Sequence, residues 1–178
     1  MNKNIVLDLD GVIANIASSI EDWIWESYGL DRDKCDYSSW LITDSKDENA
    51  MKIFNNPLFW KNMKPYKDAW HCVNNWFSQG NDVYIVTARR CEAAISQTEQ
   101  WLDSWKIATM TPIFTNINEK HDVIEKINPR FVVEDNPNEV AILREHGVNA
   151  ILRKQWYNKD FWDEFPTVET LWDIERNI

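Results

Sequence analysis

The sequence predicts a three-layer α/β/α fold around a parallel sheet, and three observations predict it. Short, almost wholly apolar runs recur at residues 5–7, 83–86, 131–133 and 150–152. Stretches with helical spacing of apolar residues lie between them. Carboxylates and a threonine follow directly on several of the runs, as Asp8, Asp10, Thr87, Glu134 and Asp135. Wholly apolar strands are those buried on both faces, and alternation with helices gives right-handed crossovers between parallel neighbours.

Each element has its own signal. Residues 15–28 read as a helix with Ile16, Ile20, Trp23 and Ile24 on one face, Asn15 at its start and Gly29 at its end. Residues 67–79 repeat the pattern with Ala69, Cys72, Val73, Trp76 and Phe77, and Gly80 stops them. A helix near 92–106 would turn Ile95, Thr98, Trp101, Leu102 and Trp105 inward. Residues 112–114 suit a short strand, 122–127 a helix, and 137–146 a helix opened by Pro137 and closed by Gly147. Thr167 is expected to cap a last helix. Polar clusters and isolated aromatics without strand signal fill the stretch up to Lys64, and residues 46–55 look helical. The expected organisation is a Rossmann-like core of residues 1–15 and 65–178, with a small helical cap, 16–64, inserted after the first strand.

Composition narrows the function. The 178 residues carry a formal net charge of −10, which would repel a long polyanion, so extended nucleic acid is not an expected partner. No apolar run is long enough to span a membrane. Cys35, Cys72 and Cys91 form no CxxC pair, which fits a reducing compartment and a cytoplasmic location. The 11 Trp are many for this length, and some are expected half-exposed in a groove. GxGxxG, Walker A and GxSxG patterns are absent from the chain, which disfavours dinucleotide enzymes, P-loop kinases and serine hydrolases.

In open parallel sheets ligands bind at the carboxyl ends of the strands. Asp8 and Asp10 are two apart after the first strand, so their side chains face one side. Gly11 then permits a tight turn. Two acids so close repel each other, and a divalent cation would relieve the strain. Glu134-Asp135 adds acids at another strand end. The Thr87 hydroxyl and the backbone N–H groups after it suit phosphate oxygens, and the Lys120 ammonium can balance negative charge at the same rim. Each of these residues has a plainer reading: Asp8-x-Asp10-Gly11 as a surface turn, Thr87 as a strand end, Lys120 as a solvated residue, and Asn136-Pro137 as a helix cap.

Four segments together resemble the haloacid-dehalogenase-like phosphohydrolases: Asp8-Leu9-Asp10-Gly11-Val12, Val86-Thr87-Ala88-Arg89, Lys120, and Val133-Glu134-Asp135-Asn136. The resemblance implies Mg²⁺ as cofactor and an aspartyl-phosphate intermediate. Asp8 would be the nucleophile, and Asp10 the acid that protonates the leaving oxygen and later activates water. Thr87, Ala88, Arg89 and Lys120 would hold the phosphoryl group. The metal would sit on Asp8, the Asp10 main-chain carbonyl and Asp135, with Glu134 behind them or as a further ligand.

Within that superfamily the chain is most similar to the 5′(3′)-deoxyribonucleotidases, in the run from Asn56 to Tyr66 and, more loosely, in Pro137 and Trp156-Tyr157-Asn158. That similarity implies a small phosphate ester, a nucleoside monophosphate, as substrate. Trp40, Phe59 and Trp60 are then candidates to stack on a base. A homodimer is one option for its assembly. Ala88-Arg89 departs from the serine usual in those enzymes and is similar to polynucleotide 3′-phosphatases, which makes that activity the alternative. A phospho-ligand-binding module without turnover is a second. Arg89 itself suits either a substrate phosphate or an acid of the protein.

Overall fold

The computed structural model describes residues 2–28, 56–89 and 94–175. In chain order it contains β1 (Asn4–Leu7), α1 (Ile16–Tyr28), α2 (Pro57–Asn62), α3 (Lys67–Ser78), β2 (Asp82–Thr87), α4 (Ala94–Ser104), β3 (Ile113–Phe114), α5 (Lys120–Ile127), β4 (Phe131–Glu134), α6 (Pro137–Glu145), β5 (Ala150–Arg153), a 3-10 helix (Trp156–Phe161), β6 (Thr167–Val168) and α7 (Leu171–Glu175). The strands form one sheet in the order β3-β2-β1-β4-β5-β6, and every neighbouring pair is parallel. β1 lies at the centre, with Val6 between Tyr84 and Val132. The chain winds outward from β1 through β2 to β3, then resumes on the other side with β4. The strand order therefore reverses between β1 and β4, where sheets of this type open a crevice.

Side-chain alternation splits the core into two layers. Ile5, Leu7, Val83, Ile85, Phe131 and Val133 face one side, under Val73, Trp76, Trp101 and Leu171. Val6, Val86, Val132 and Leu152 face the other, under Ile124, Val140 and Leu143. Trp76 is 2% exposed and meets Phe131 edge-on, with ring centroids 5.7 Å apart. Trp101 is also buried, and its indole N–H donates to the Met63 carbonyl at 2.7 Å.

The helices start and stop as their residues dictate. The Asn136 side chain accepts from the Asn138 N–H at 3.0 Å, and Asn56 does the same for Leu58, with Pro next in both helices. α4 buries Ala94, Thr98, Trp101 and Leu102, a stripe narrower than the sequence suggests. Ile95 falls about a quarter-turn off it and is exposed, as is Phe77 at the end of α3. Thr167 does not cap a helix. Its β-branched neighbour Val168 joins it in edge strand β6, paired with Leu152 and Arg153. Asp173 instead caps α7 by accepting from the Thr170 N–H at 2.9 Å.

The stretch expected to form the cap lies largely outside the described residues, including 29–55. Its two ends are fastened side by side. Asn15 N–H donates to Lys64 O at 2.9 Å, Tyr66 N–H donates to Ile13 O at 2.8 Å, and Ala14 bridges to Pro65. Ile20, Phe59, Trp60 and Met63 are buried in the main core layer.

A buried ion pair supports the turn after β1 from below. Arg153 donates to Asp68 at 3.0 Å and to the Val12 carbonyl at 2.9 Å, and its guanidinium lies 4.0 Å from the centre of the Tyr66 ring. Asp68 also accepts from the Leu171 N–H at 2.8 Å. In the turn itself, Gly11 has φ +83°, and a Cβ there would run into the Asp135 carboxylate and lie 2.6 Å from the Tyr157 hydroxyl. Two outcomes follow. Removing one partner of a buried pair strands the other, so Asp68→Ala should lower unfolding free energy by about 3–5 kcal/mol, read by chemical denaturation. Gly11→Ala should cost about 1–3 kcal/mol from the left-handed backbone alone.

Candidate active site

The crevice between β1 and β4 holds a cluster of charged side chains. Asp8 follows β1, and its N–H still donates to Val133 O at 2.9 Å, so the strand geometry carries its carboxylate to the sheet edge. Glu134 ends β4 and Asp135 follows it. One oxygen from each of Asp8, Glu134 and Asp135 lies within 4.8 Å of the others. The Lys120 ammonium, at the first residue of α5, donates to Asp8 Oδ1 at 2.6 Å and to Glu134 Oε1. Glu134 Oε2 accepts from the Asp135 and Asn136 N–H groups at 2.8 and 2.9 Å. Both Glu134 oxygens are thus engaged by the protein, which makes it a brace for Lys120 and the following turn.

The electrostatics match this crowding. Burial pushes the Asp8 carboxyl up to about 7, and the negative charges of Glu134 and Asp10 add to it, against the opposing pull of Lys120. Asp135 is raised well above the usual carboxylate range, first by burial and then by Glu134 and Asp8. Burial by itself would lower the Lys120 pKa, but Asp8 and Glu134 outweigh it and hold the ammonium charged. Three carboxyl groups thus share one site with one buried ammonium, which pairs with Asp8 and Glu134, so acids outnumber cations there. The donor set is oxygen only, which suits a hard divalent cation such as Mg²⁺.

Thr87 ends β2 and is buried, with its Oγ1 accepting from the Arg89 N–H at 3.4 Å. Because Leu7 pairs with Ile85, β2 delivers Thr87 and Ala88 to the same edge as Asp8 and Asp10. Of the two readings of Arg89, the structure shows the pairing with an acid of the protein. Its guanidinium grips Asp10 through Nε at 2.8 Å and Nη2 at 2.6 Å, and Nη1 donates to Thr98 at 3.1 Å. Its face lies 4.5 Å from the Trp60 ring centre. A two-pronged carboxylate and a flat ring satisfy this side chain better than a distant anion would. Asp8 and Asp10 therefore share an edge but take different cations.

Phe59 and Trp60 do not present open faces for a base. They are 7% and 9% exposed in the core, edge to face with each other, because the short α2 folds its apolar side inward. Trp40 lies outside the described residues. Beside Arg89, between the end of β3 and the first turn of α5, is a cavity of about 630 Å³ walled by Phe114, Thr115, Asn116, Glu119 and Asp122. That volume is within the range of small-molecule sites.

Sequence reasoning marked Trp156-Tyr157-Asn158 only as a loose family similarity and gave the segment after β5 no role at the site. The Tyr157 hydroxyl donates to Asp135 Oδ2, and the Asn158 amide donates to the Asp135 carbonyl at 2.8 Å. Gln155 donates to the Gly11 carbonyl at 2.6 Å. The available signal was polar residues after a strand end, the rule that singled out Asp8 and Thr87.

Comparison with known proteins bears on the fold and the family. The fold matches a haloacid dehalogenase-like family hydrolase from Streptococcus pneumoniae with a TM-score of 0.64 at 13% identity, over 99% of both chains. A predicted phosphatase from Clostridium acetobutylicum gives 0.63 at 11% identity, over 99% of this chain and 98% of that one. The L-2-haloacid dehalogenase from Xanthobacter autotrophicus, with chloropropionic acid covalently bound, gives 0.64 at 10% identity over the same shares. At these identities the likeness concerns the fold alone. No curated protein matches the sequence. The model of one family, described as 5′ nucleotidase, deoxy (Pyrimidine), cytosolic type C protein, matches residues 2–175. The chain therefore belongs to that family, and with it to the haloacid-dehalogenase-like phosphohydrolases.

Proposed function

We propose that the protein hydrolyses deoxyribonucleoside monophosphates in the cytoplasm, with Mg²⁺, through an aspartyl-phosphate on Asp8. The observation that carries this reading is the buried Lys120 ammonium joined to both Asp8 and Glu134, with Asp135 beside them at the switch point of the sheet. Family membership supports a phosphatase. The cluster of carboxylate oxygens supports the cation.

In this mechanism an Asp8 oxygen forms a bond to phosphorus as the bond to the leaving oxygen breaks. Asp10 supplies the proton that the leaving oxygen needs. Water then attacks the phosphorus of the aspartyl-phosphate, Asp10 takes its proton, and phosphate and free Asp8 result. Lys120 fixes the Asp8 carboxylate and offsets negative charge on the transferring phosphoryl group. The Thr87 hydroxyl and the Ala88 N–H hold its oxygens. Asp8, the Asp10 carbonyl and Asp135 would hold Mg²⁺, which neutralises phosphate charge when bound. Residues 16–64 act as a cap that closes over the ester and excludes bulk water. The leaving nucleoside has room in the cavity beside Arg89. The 3′-phosphatase alternative rests on the similarity of Ala88-Arg89; the net charge of −10 and the pairing of Arg89 with Asp10 favour the free nucleotide.

Phosphate release should be measured across deoxyribonucleoside monophosphates, an aryl phosphate and a 3′-phosphorylated oligonucleotide. Free nucleotides should be the better substrates, and a preference for the oligonucleotide would reverse the assignment. Asp8→Asn should reduce turnover by more than about 10⁴-fold without unfolding the chain; undiminished turnover would exclude the nucleophile. Protons and cations compete for the same carboxylate oxygens, and the raised Asp8 and Asp135 groups take up protons as pH falls. Mg²⁺ should therefore raise the melting temperature more at pH 8 than at pH 5, and chelation should reverse the gain.

A further inference from the structure

Gln155, Tyr157 and Asn158 touch both halves of the site. Gln155 holds the Gly11 carbonyl, in the turn that follows Asp8 and Asp10, while Tyr157 and Asn158 hold the side chain and the carbonyl of Asp135. The segment is itself restrained. Gln155 Oε1 accepts from the Tyr66 hydroxyl at 3.1 Å. Asn158 Oδ1 accepts from the Gln155 N–H at 2.9 Å and from the Trp162 indole N–H at 2.8 Å, and its amide also donates to the Arg153 carbonyl at 3.0 Å. Asn158 is 1% exposed and Gln155 8%.

This placement has a chemical consequence. Asp135 follows β4 in a turn, and its contacts with Tyr157 and Asn158 hold its side chain and its carbonyl beside Asp8 and Glu134. Tyr157 donates to Oδ2, and Asp135 still offers a carboxylate oxygen within 4.8 Å of those of Asp8 and Glu134. Gly11 lets this happen, because any side chain there would occupy the space taken by Asp135 and Tyr157. We infer that residues 155–158 form a strap that presents Asp135 to the metal, with Tyr157 as its positioning residue. The inference rests on the Mg²⁺-dependent reading above and extends it to a segment the catalytic scheme does not use. Partners that orient a metal ligand commonly govern affinity for the ion without touching it.

Tyr157→Phe removes the hydroxyl and nothing else. Titration calorimetry of Mg²⁺ into the purified full chain should show affinity about 10-fold weaker than wild type. Phosphate release should fall at low Mg²⁺ and recover when Mg²⁺ is raised, with the Michaelis constant for the ester unchanged at saturating metal. Tyr84→Phe, remote on β2, should alter none of these. If Phe at position 157 prevents folding, Tyr66→Phe, which frees Gln155 at the other end of the strap, should weaken Mg²⁺ binding in the same direction. Unchanged Mg²⁺ affinity in Tyr157→Phe beside a wild type that binds the ion would overturn the strap and leave the function standing. A loss of turnover that high Mg²⁺ does not restore would also overturn it, by assigning Tyr157 to the substrate. A wild type with no affinity for Mg²⁺ would remove both.

Discussion

A single buried ammonium organises the catalytic end of the molecule. Lys120 stands between Asp8 and Glu134, which come from neighbouring central strands and would otherwise repel each other. Burying two carboxylates uncompensated costs several kcal/mol for each ion, and one shared cation offsets much of that. The compensation is incomplete. Asp135 joins the cluster as a third acid, and both it and Asp8 remain displaced toward the protonated form. That residual imbalance is the kind a phosphatase can use, since a divalent ion completes the neutralisation and brings a phosphate ester with it.

Most of the remaining polar structure serves to hold this arrangement still. The Asp68–Arg153 pair lies beneath the turn after β1 and reaches its backbone at Val12. Glu134 accepts the two N–H groups of the turn that carries Asp135. Arg89 fixes Asp10 from the β2 side with help from Thr98 and Trp60. These contacts are buried and directional, so each restrains a side chain that has several rotamers open to it in isolation. Catalysis by orientation needs such restraint, because a shift of about 1 Å at the reacting groups can remove a large part of the rate.

The position of the site follows from topology. The central strand is flanked by β2 and β4, the chain winds away on each side, and the crevice is left between β1 and β4. The Asn15–Lys64 contact fastens residue 64 beside the turn that follows β1, and the core packing of Phe59, Trp60 and Met63 ties α2 to α4. Aromatic residues read as candidate ligand contacts thus serve as anchors, with Trp60 supporting the arginine that holds Asp10.

Periodicity and strand-end chemistry in the sequence were enough to determine the layered parallel fold and the acids at its strand ends. These depend on local rules: apolar runs for buried strands, helical stripes for their cover, and spacing of two for carboxylates on one side. Thr167 escaped that reading because a two-residue edge strand has too little pattern to show. Which cation each acid meets was decided by tertiary structure alone. Nothing near Asp10 announces Arg89, 79 residues away, and nothing near Asp135 announces the hydroxyl of Tyr157, 22 residues on. Such partners are set by how the strands order themselves and where their connections land. Their energies depend on burial and angle, which exist only once the chain has folded.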